Sequence, residues 1–282
     1  MKKIAFFNAK GGTGKTTICF NYGFYLAEKN KKKVLFMDFD PQTNLVYSFG
    51  KENKTSTGNN LDSLIINYLK GKKIILNDYI IRINECISLI PSSNNISLID
   101  EYLTDFLINK SVEDGIAYKS TERNLLIKNM LQDIIKPWEY DYLLIDCQPS
   151  FSLLSTTALI FTENILVVVK AEPYSFTDME YLKKIINNLN KKYLSKIKIS
   201  GVIINAFEKR KIISKSVVSE MTVKFGSEMK IFNQKIKFLS YYQSSIANSN
   251  KPVFDVFPDS EASKNIINLF KEIDEISFNM IN

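Results

Sequence analysis

The 282-residue sequence predicts an α/β fold: a doubly wound, mostly parallel sheet with helices on both faces, as one domain over residues 1–282. Three observations carry this. The apolar runs at 34–37, 142–145 and 165–170 are continuous rather than alternating, as strands covered on both faces are, and 197–204 reads as a further strand. Segments of helical period at 16–30, 124–135 and 212–225 lie between or after them. The runs also end in polar residues, among them Asp38, Asp146 and Asn205, at the strand ends where open α/β sheets carry their ligands.

Taken in order, residues 3–8 read as the first strand and 16–30 as the first helix, closed by Lys31-Lys32-Lys33, which suits a helix C-terminus. The second strand, 34–37, runs into Asp38-Phe39-Asp40-Pro41-Gln42, where the proline stops it. Residues 50–60 are polar and turn-rich and read as a loop. A short helix is expected at 61–70, strands at 74–83 and 87–90, a helix at 96–108 and a second loop at 109–120. The helix at 124–135 is ended by Pro137, and the strand at 142–145 finishes in Asp146. After the strand at 165–170 a helix extends to about 190, the strand at 197–204 ends at Asn205, and helices follow at 212–225 and 260–278.

Between the first strand and the first helix stands Lys10-Gly11-Gly12-Thr13-Gly14-Lys15-Thr16-Thr17. A glycine loop opening a helix gathers backbone N–H groups into a concave cradle, and the helix dipole adds partial positive charge there. Glycines let the backbone approach a polyphosphate that a Cβ would hold off. On this reading Gly11, Gly12, Thr13, Gly14 and Thr17 line the cradle, Lys15 reaches the β- and γ-phosphates, and the Thr16 hydroxyl ligates Mg²⁺. Tyr142 to Asp146 is an apolar strand ending in a carboxylate, about 130 residues after that loop. This is the Walker B pattern, whose aspartate holds Mg²⁺ through water.

Composition removes several alternatives. The chain has no histidine, which excludes His general-base chemistry, Ser-His-Asp triads and His-ligated metals. Cys19, Cys86 and Cys147 have no metal-ligand spacing and read as reduced thiols. The apolar stretch after Met1-Lys2-Lys3 is too short for a signal peptide, and no 18-residue apolar run exists to span a membrane. The net charge of +7 is unevenly spread: residues 191–251 carry 13 basic and 3 acidic side chains. A segregated basic segment is a candidate nucleic-acid surface, against the plainer reading of a solvated lysine face.

The loop departs from the common P-loop. Where that motif has glycine, four residues ahead of the Gly-Lys pair, Ala9 stands, and Lys10 follows it. This resembles the deviant Walker A motif of the ParA/MinD family of ATPases. The resemblance implies that Lys10 crosses a homodimer interface to the partner's nucleotide. Asp38-Phe39-Asp40-Pro41-Gln42 resembles the ParA switch I segment, which makes Asp40 the residue orienting the attacking water and places Asp38 near the Mg²⁺ shell. Its Pro-Gln pair favours ParA over MinD, and Ile90-Pro91-Ser92-Ser93 is also similar to ParA proteins at this place. In related ATPases an asparagine at the position of Asn205 hydrogen-bonds adenine, and ParA proteins commonly carry an arginine near Arg210. Two departures stand out. Gln148 replaces a proline after Asp146, and Ile236-Lys237-Phe238 lacks the proline that frames the base in the family.

The resemblance implies catalysis of ATP + H₂O → ADP + phosphate with Mg²⁺, with Lys10, Lys15 and Asp40 as catalytic residues and Thr16, Asp38 and Asp146 toward the metal. It further implies an ATP-dependent homodimer that binds non-specific DNA, through segment 191–251, and is stimulated by a ParB-like partner. The cargo would be a plasmid or chromosome, and the location cytoplasmic and nucleoid-associated. The sequence shows no helix-turn-helix ahead of the glycine loop, as in the short ParA class. A MinD-like membrane-bound ATPase is the first rival. It is disfavoured because Glu261, Glu272, Asp274 and Glu275 outnumber Lys264 and Lys271 on the last helix. A ParA-like ATPase positioning a protein cargo would use the same motor parts. A non-catalytic nucleotide-binding module is countered by the retention of Asp40, and a nitrogenase-iron-protein-like reductase by the lack of cluster cysteines.

Overall fold

Successive side chains of a strand point to opposite faces of its sheet, and here both faces are apolar. In the computed structural model, which describes residues 1–53, 58–136 and 139–278, β1 (Lys2–Phe7) sends Ile4 and Phe6 into one apolar layer and Ala5 and Phe7 into the other. β2 (Val34–Phe39) divides Val34 and Phe36 from Leu35, Met37 and Phe39 in the same way. With β3 (Ile81–Arg82), β4 (Ile87–Ile90), β5 (Tyr142–Cys147), β6 (Asn164–Lys170) and β7 (Lys198–Asn205) these form one seven-stranded sheet of order β3-β4-β2-β5-β1-β6-β7. Every pairing is parallel except β3 with β4, so the sheet is doubly wound and mostly parallel, as the apolar runs predict.

Helices cover both faces. On the first lie α1 (Lys15–Glu28) and α2 (Asn44–Ser48). On the second lie α3 (Leu61–Leu69), α4 (Ile99–Asp114), α5 (Glu122–Ile134), α6 (Leu153–Thr162), α7 (Ser175–Tyr193) and α8 (Ile212–Phe225). The chain then returns to the first face with α9 (Tyr241–Ser249), α10 (Val253–Val256) and α11 (Glu261–Asp274). Strand β1 sits between β5 and β6, with α1 leaving β1 toward one face and α6 leaving β5 toward the other. That reversal opens a crevice at the carboxyl end of β1, where the glycine loop begins.

Helix α1 is seated on the sheet through Gly23. A Cβ built there would lie 1.9 Å from Phe36 Cζ, inside an aromatic cluster of Phe20, Phe24, Phe36 and Phe49. Overpacking of this kind costs about 1–3 kcal/mol. Gly23→Ala is therefore expected to lower stability by about that amount despite the better helix propensity of alanine, read as a shift of the urea midpoint. An unchanged midpoint would show that α1 can move away from β2 at no cost.

Several elements differ from expectation. The strand at 74–83 reduces to the two residues of β3, because Asn77-Asp78 turns the chain in a short 3-10 segment, Leu76–Tyr79. The helix at 96–108 begins as a 3-10 turn, Asn94–Leu98, and α4 then runs through the first part of the expected loop to Asp114. Gly115 stops it at φ +66. Helix α6 has no helical period in the sequence: Leu154, Ala158, Leu159, Ile160 and Phe161 are buried, and so are the hydroxyl residues Ser155, Thr157 and Thr162, so no exposed polar face sets one. The last helix ends at Asp274, short of 278. The helix stop assigned to Pro137, and Thr55, Ser56 and Thr57 of the 50–60 loop, lie outside the described residues.

Candidate functional site

The glycine loop is fixed at its start by Asn8, which donates to Val168 O at 2.8 Å and accepts from Lys10 N at 3.0 Å. Gly12 (φ +66) and Gly14 (φ +95) take left-handed conformations. Gly14 is the N-cap of α1 and no side chain caps it, so the first N–H groups of the helix face the crevice uncapped. Asn205, at the end of β7, donates to Thr13 O at 2.7 Å, and a Cβ on Gly14 would sit 2.2 Å from its Nδ2. Asn205 thus braces the loop from behind, and only glycine permits that approach.

Lys15 is 6% exposed, and its Nζ lies 3.3 Å from Lys10 O inside the loop. Burial lowers its pKa, opposed chiefly by the Asp146 carboxylate. Thr16 Oγ1 donates to Asp146 Oδ2 at 2.6 Å. Asp146 Oδ1 is buried and has no partner. Burial pushes Asp146 up to about 7, against the opposing effects of the Thr16 hydroxyl and the Lys15 ammonium. Thr13 Oγ1 is likewise buried without a partner. A hydroxyl and a carboxylate at 2.6 Å, with one carboxylate oxygen unpartnered, form a hard oxygen donor set that fits Mg²⁺.

The end of β2 supplies the other carboxylates. Asp38 is fully buried; its Oδ1 accepts from Asp40 N at 3.0 Å and its Oδ2 from Val46 N at 3.3 Å. Burial raises its pKa, and Asp146, its registry neighbour on β5, raises it further. Asp40 Oδ1 accepts from Gln42 N at 2.9 Å, and Ser92 Oγ donates to Asp40 O at 3.2 Å. The Asp-x-Asp-Pro-Gln turn is therefore held from within by Asp38 and from outside by the Pro91-Ser92 segment.

Lys15, Thr16, Thr17 and Asp40 come together in one cleft of about 680 Å³, closed by Pro149 on one side. Gln243, Ile246 and Asn250, in and just after α9, form its other wall. No sequence motif marks these three; only the fold-back of α9 brings them there, and Asn250 Nδ2 is tied to Tyr47 O at 3.0 Å. A larger cleft of about 1420 Å³ adjoins through Gln42, Asn44 and Tyr47 but is lined by α3 and the 93–102 segment, away from the glycine loop.

The remaining candidates stand elsewhere. Lys10 points out of the cleft and pairs with Glu172 at 2.8 Å, which raises the lysine pKa and lowers that of the glutamate. Gln148 donates to Ser152 Oγ, next to the α6 cap. Lys237, in place of the family proline, uses the N–H a proline lacks to donate to Asn265 Oδ1 at 2.9 Å. Phe207 N bonds Ile236 O at 2.9 Å, so this loop is still tied to the end of β7. Arg210 is exposed just before α8. Within segment 191–251, Lys211, Lys224 and Lys237 are ion-paired with glutamates.

Comparison with known proteins agrees with this arrangement. The model of a family described as AAA domain matches residues 1–200. A virulence plasmid ParA family protein, pGP5-D of Chlamydia psittaci, is 27% identical over 99% of this chain and 96% of its own. The chromosome-partitioning ATPase Soj of Treponema pallidum is 27% identical over 82% of this chain and 81% of its own. The solved McdA(D38A)–ATP complex from Cyanothece shares the fold, with a TM-score of 0.77 and 23% identity over 100% of this chain and 99% of its own. With its glycine loop, Asp-x-Asp-Pro-Gln turn and Thr16–Asp146 pair, the chain belongs to the AAA domain family and, within it, to the ParA-like ATPases.

Proposed function

We propose that the chain is a partition switch driven by ATP hydrolysis, in which the ATP-bound form is a dimer that holds non-specific DNA. The observation that carries this is the buried Asp146 Oδ1, left unpartnered beside Lys15 and Thr16 beneath the uncapped start of α1. When bound, Mg²⁺ would supply charge neutralisation of the triphosphate, with Thr16 and Asp146 as its holders. The residues of the chain do the rest. The amides of Gly11 to Thr17 bind the phosphates, Lys15 neutralises their charge from inside the loop, and Asp40 orients the attacking water at the mouth of the cleft. The wall of α9 receives the base, and Asn205, whose amide is bound to Thr13 O, acts on the nucleotide by holding the loop in shape. Asp38, already occupied by two backbone amides, sets the position of Asp40.

Lys10 lies outside its own cleft, which suits a role toward the nucleotide of a second copy. Such trans-acting cations contribute about 10³–10⁵ in rate. Hydrolysis would release the 38–42 and 146–149 segments, which reach the cleft through Asp40, Gln42 and Pro149, and with them the dimer. Segment 191–251 is the proposed DNA surface, nucleoid association would follow from it, and a ParB-like protein is the proposed stimulating partner. Among the described residues no helix is long and apolar enough to cross a membrane. Helix α11 buries Ile266, Leu269, Phe270 and Ile273 in the core, so its apolar face is not offered to a lipid surface.

The test is binding to random-sequence duplex DNA with ATP, with ADP and without nucleotide. Binding is expected with ATP alone. It should fall steeply with salt, by about 10³ between 50 and 200 mM if six phosphates are contacted. Binding that ignores nucleotide, or none in any state, would remove the DNA-gated reading. Liposomes and protein cargo would then be the partners to examine, with the ATPase core intact.

A further inference from the structure

Two lysine head groups meet on one carboxylate at the outer side of the glycine loop. Lys10 Nζ is 2.8 Å from Glu172 Oε2, and Lys170 Nζ is 3.8 Å from Glu172 Oε1. Lys170 is the last residue of β6, and its Nζ stands 3.9 Å from where a Cβ would sit on Gly12. The loop therefore has one lysine within it and two against its outer side. None of Lys10, Lys170 and Glu172 lines the cleft that holds Lys15, Thr16 and Asp40. Lys170 and Glu172 line a separate cavity of about 390 Å³.

Two ammonium groups held this close repel unless an anion lies between them, and Glu172 supplies the anion here. All three side chains are between 31% and 44% exposed. Pairs this wet are weak and exchange readily with a stronger anion. A phosphate chain carries more charge than one carboxylate and offers several oxygens to two ammonium donors. The phosphates of the chain's own nucleotide belong to the inner side, with Lys15. An anion arriving on the outer side comes from another molecule.

We propose that Lys170 acts with Lys10 as a two-lysine clamp for the phosphates of a nucleotide held by a second copy of this chain, and that Glu172 occupies the clamp until that copy arrives. This rests on the reading of the chain as an ATP-dependent dimer and adds a second trans-acting residue to it. Lys170 becomes a positioning and charge-neutralising group for the partner's triphosphate, and Glu172 a competitor that sets the threshold for dimerisation.

The test uses the full chain with Asp40→Ala as parent, so that ATP is held, and reads the dimer constant by sedimentation velocity in Mg·ATP. Lys170→Ala is expected to weaken the dimer about tenfold, as loss of a charged hydrogen bond does, and Lys170→Arg to restore most of it. Glu172→Gln is expected to tighten the dimer roughly threefold, the scale of an exposed ion pair. A second readout is binding of N-methylanthraniloyl-ADP to the monomer, which Lys170→Ala should leave within about twofold, since an outer lysine does not touch that ligand. A drop there matching the loss of dimer would place Lys170 at its own chain's nucleotide and overturn the inference. A dimer unaffected by Lys170→Ala would overturn it alone, while a Glu172→Gln dimer no tighter than the parent would remove Glu172 as competitor. A parent that forms no ATP-dependent dimer would overturn both the inference and the switch reading beneath it.

Discussion

Replacing Lys15 by glutamine is expected to abolish ATP binding, with affinity falling by about 100-fold or more. Hydrogen bonds to a charged group are each worth about 1.5–3 kcal/mol, and a buried lysine in a phosphate cradle makes more than one. Lys15 is 6% exposed, so water does not replace what it loses. Its environment is also built around its charge. Burial lowers its pKa, and the Asp146 carboxylate opposes that. Glutamine has a shorter aliphatic stem and keeps a hydrogen-bond donor but removes the charge, so the loop should stay folded while the site fails. Isothermal titration with Mg·ATP, beside a circular dichroism melt, separates the two. Binding within a few-fold of the native chain would mean that the amides of the loop carry the affinity by themselves.

The difference between Lys15 and Lys10 shows how far the sequence could be read. Both lysines flank the same glycines; Lys15 lines the cleft and Lys10 does not, and motif spacing speaks to the first because a loop of this length has one geometry. What Lys10 touches was not legible, since its partner Glu172 is 162 positions away and lies at the end of another strand. The same holds for Asn205, whose bond to Thr13 O explains why Gly14 must be glycine. Strands buried on both faces were legible as continuous apolar runs, so the doubly wound sheet followed directly. Elements outside that rule were not. Helix α6 is buried all round, α4 is polar over its last turns, and β3 is two residues at an edge. The wall formed by Gln243, Ile246 and Asn250 carries no pattern at all, because a short helix folded across a cleft is defined by what it packs against.

Asp38 and Asp40 stand two residues apart at the end of the same strand and have become different kinds of residue. Both oxygens of Asp38 are consumed by the backbone N–H groups of Asp40 and Val46. Asp40 lines the cleft with Lys15 and Thr16, and the structure records one backbone amide, that of Gln42, on its Oδ1. Asp40→Ala is therefore expected to reduce turnover by about 10²–10⁴-fold, the usual contribution of one positioned acid–base group, while ATP affinity changes by no more than a few-fold. With hydrolysis stopped and binding intact, an ATP-bound dimer should accumulate. Asp40→Asn sharpens the point. Asparagine retains an oxygen for Gln42 N but carries no charge. If Asp40 works on water, the asparagine variant is as slow as the alanine variant. If it only holds the turn, asparagine recovers most of the rate. Phosphate release at saturating ATP, with dimer mass measured in the same samples, decides between them. An alanine variant that hydrolyses at the native rate would leave Asp40 as a turn residue and send the search for the water-orienting group to Gln42, the neighbouring side chain in the same cleft.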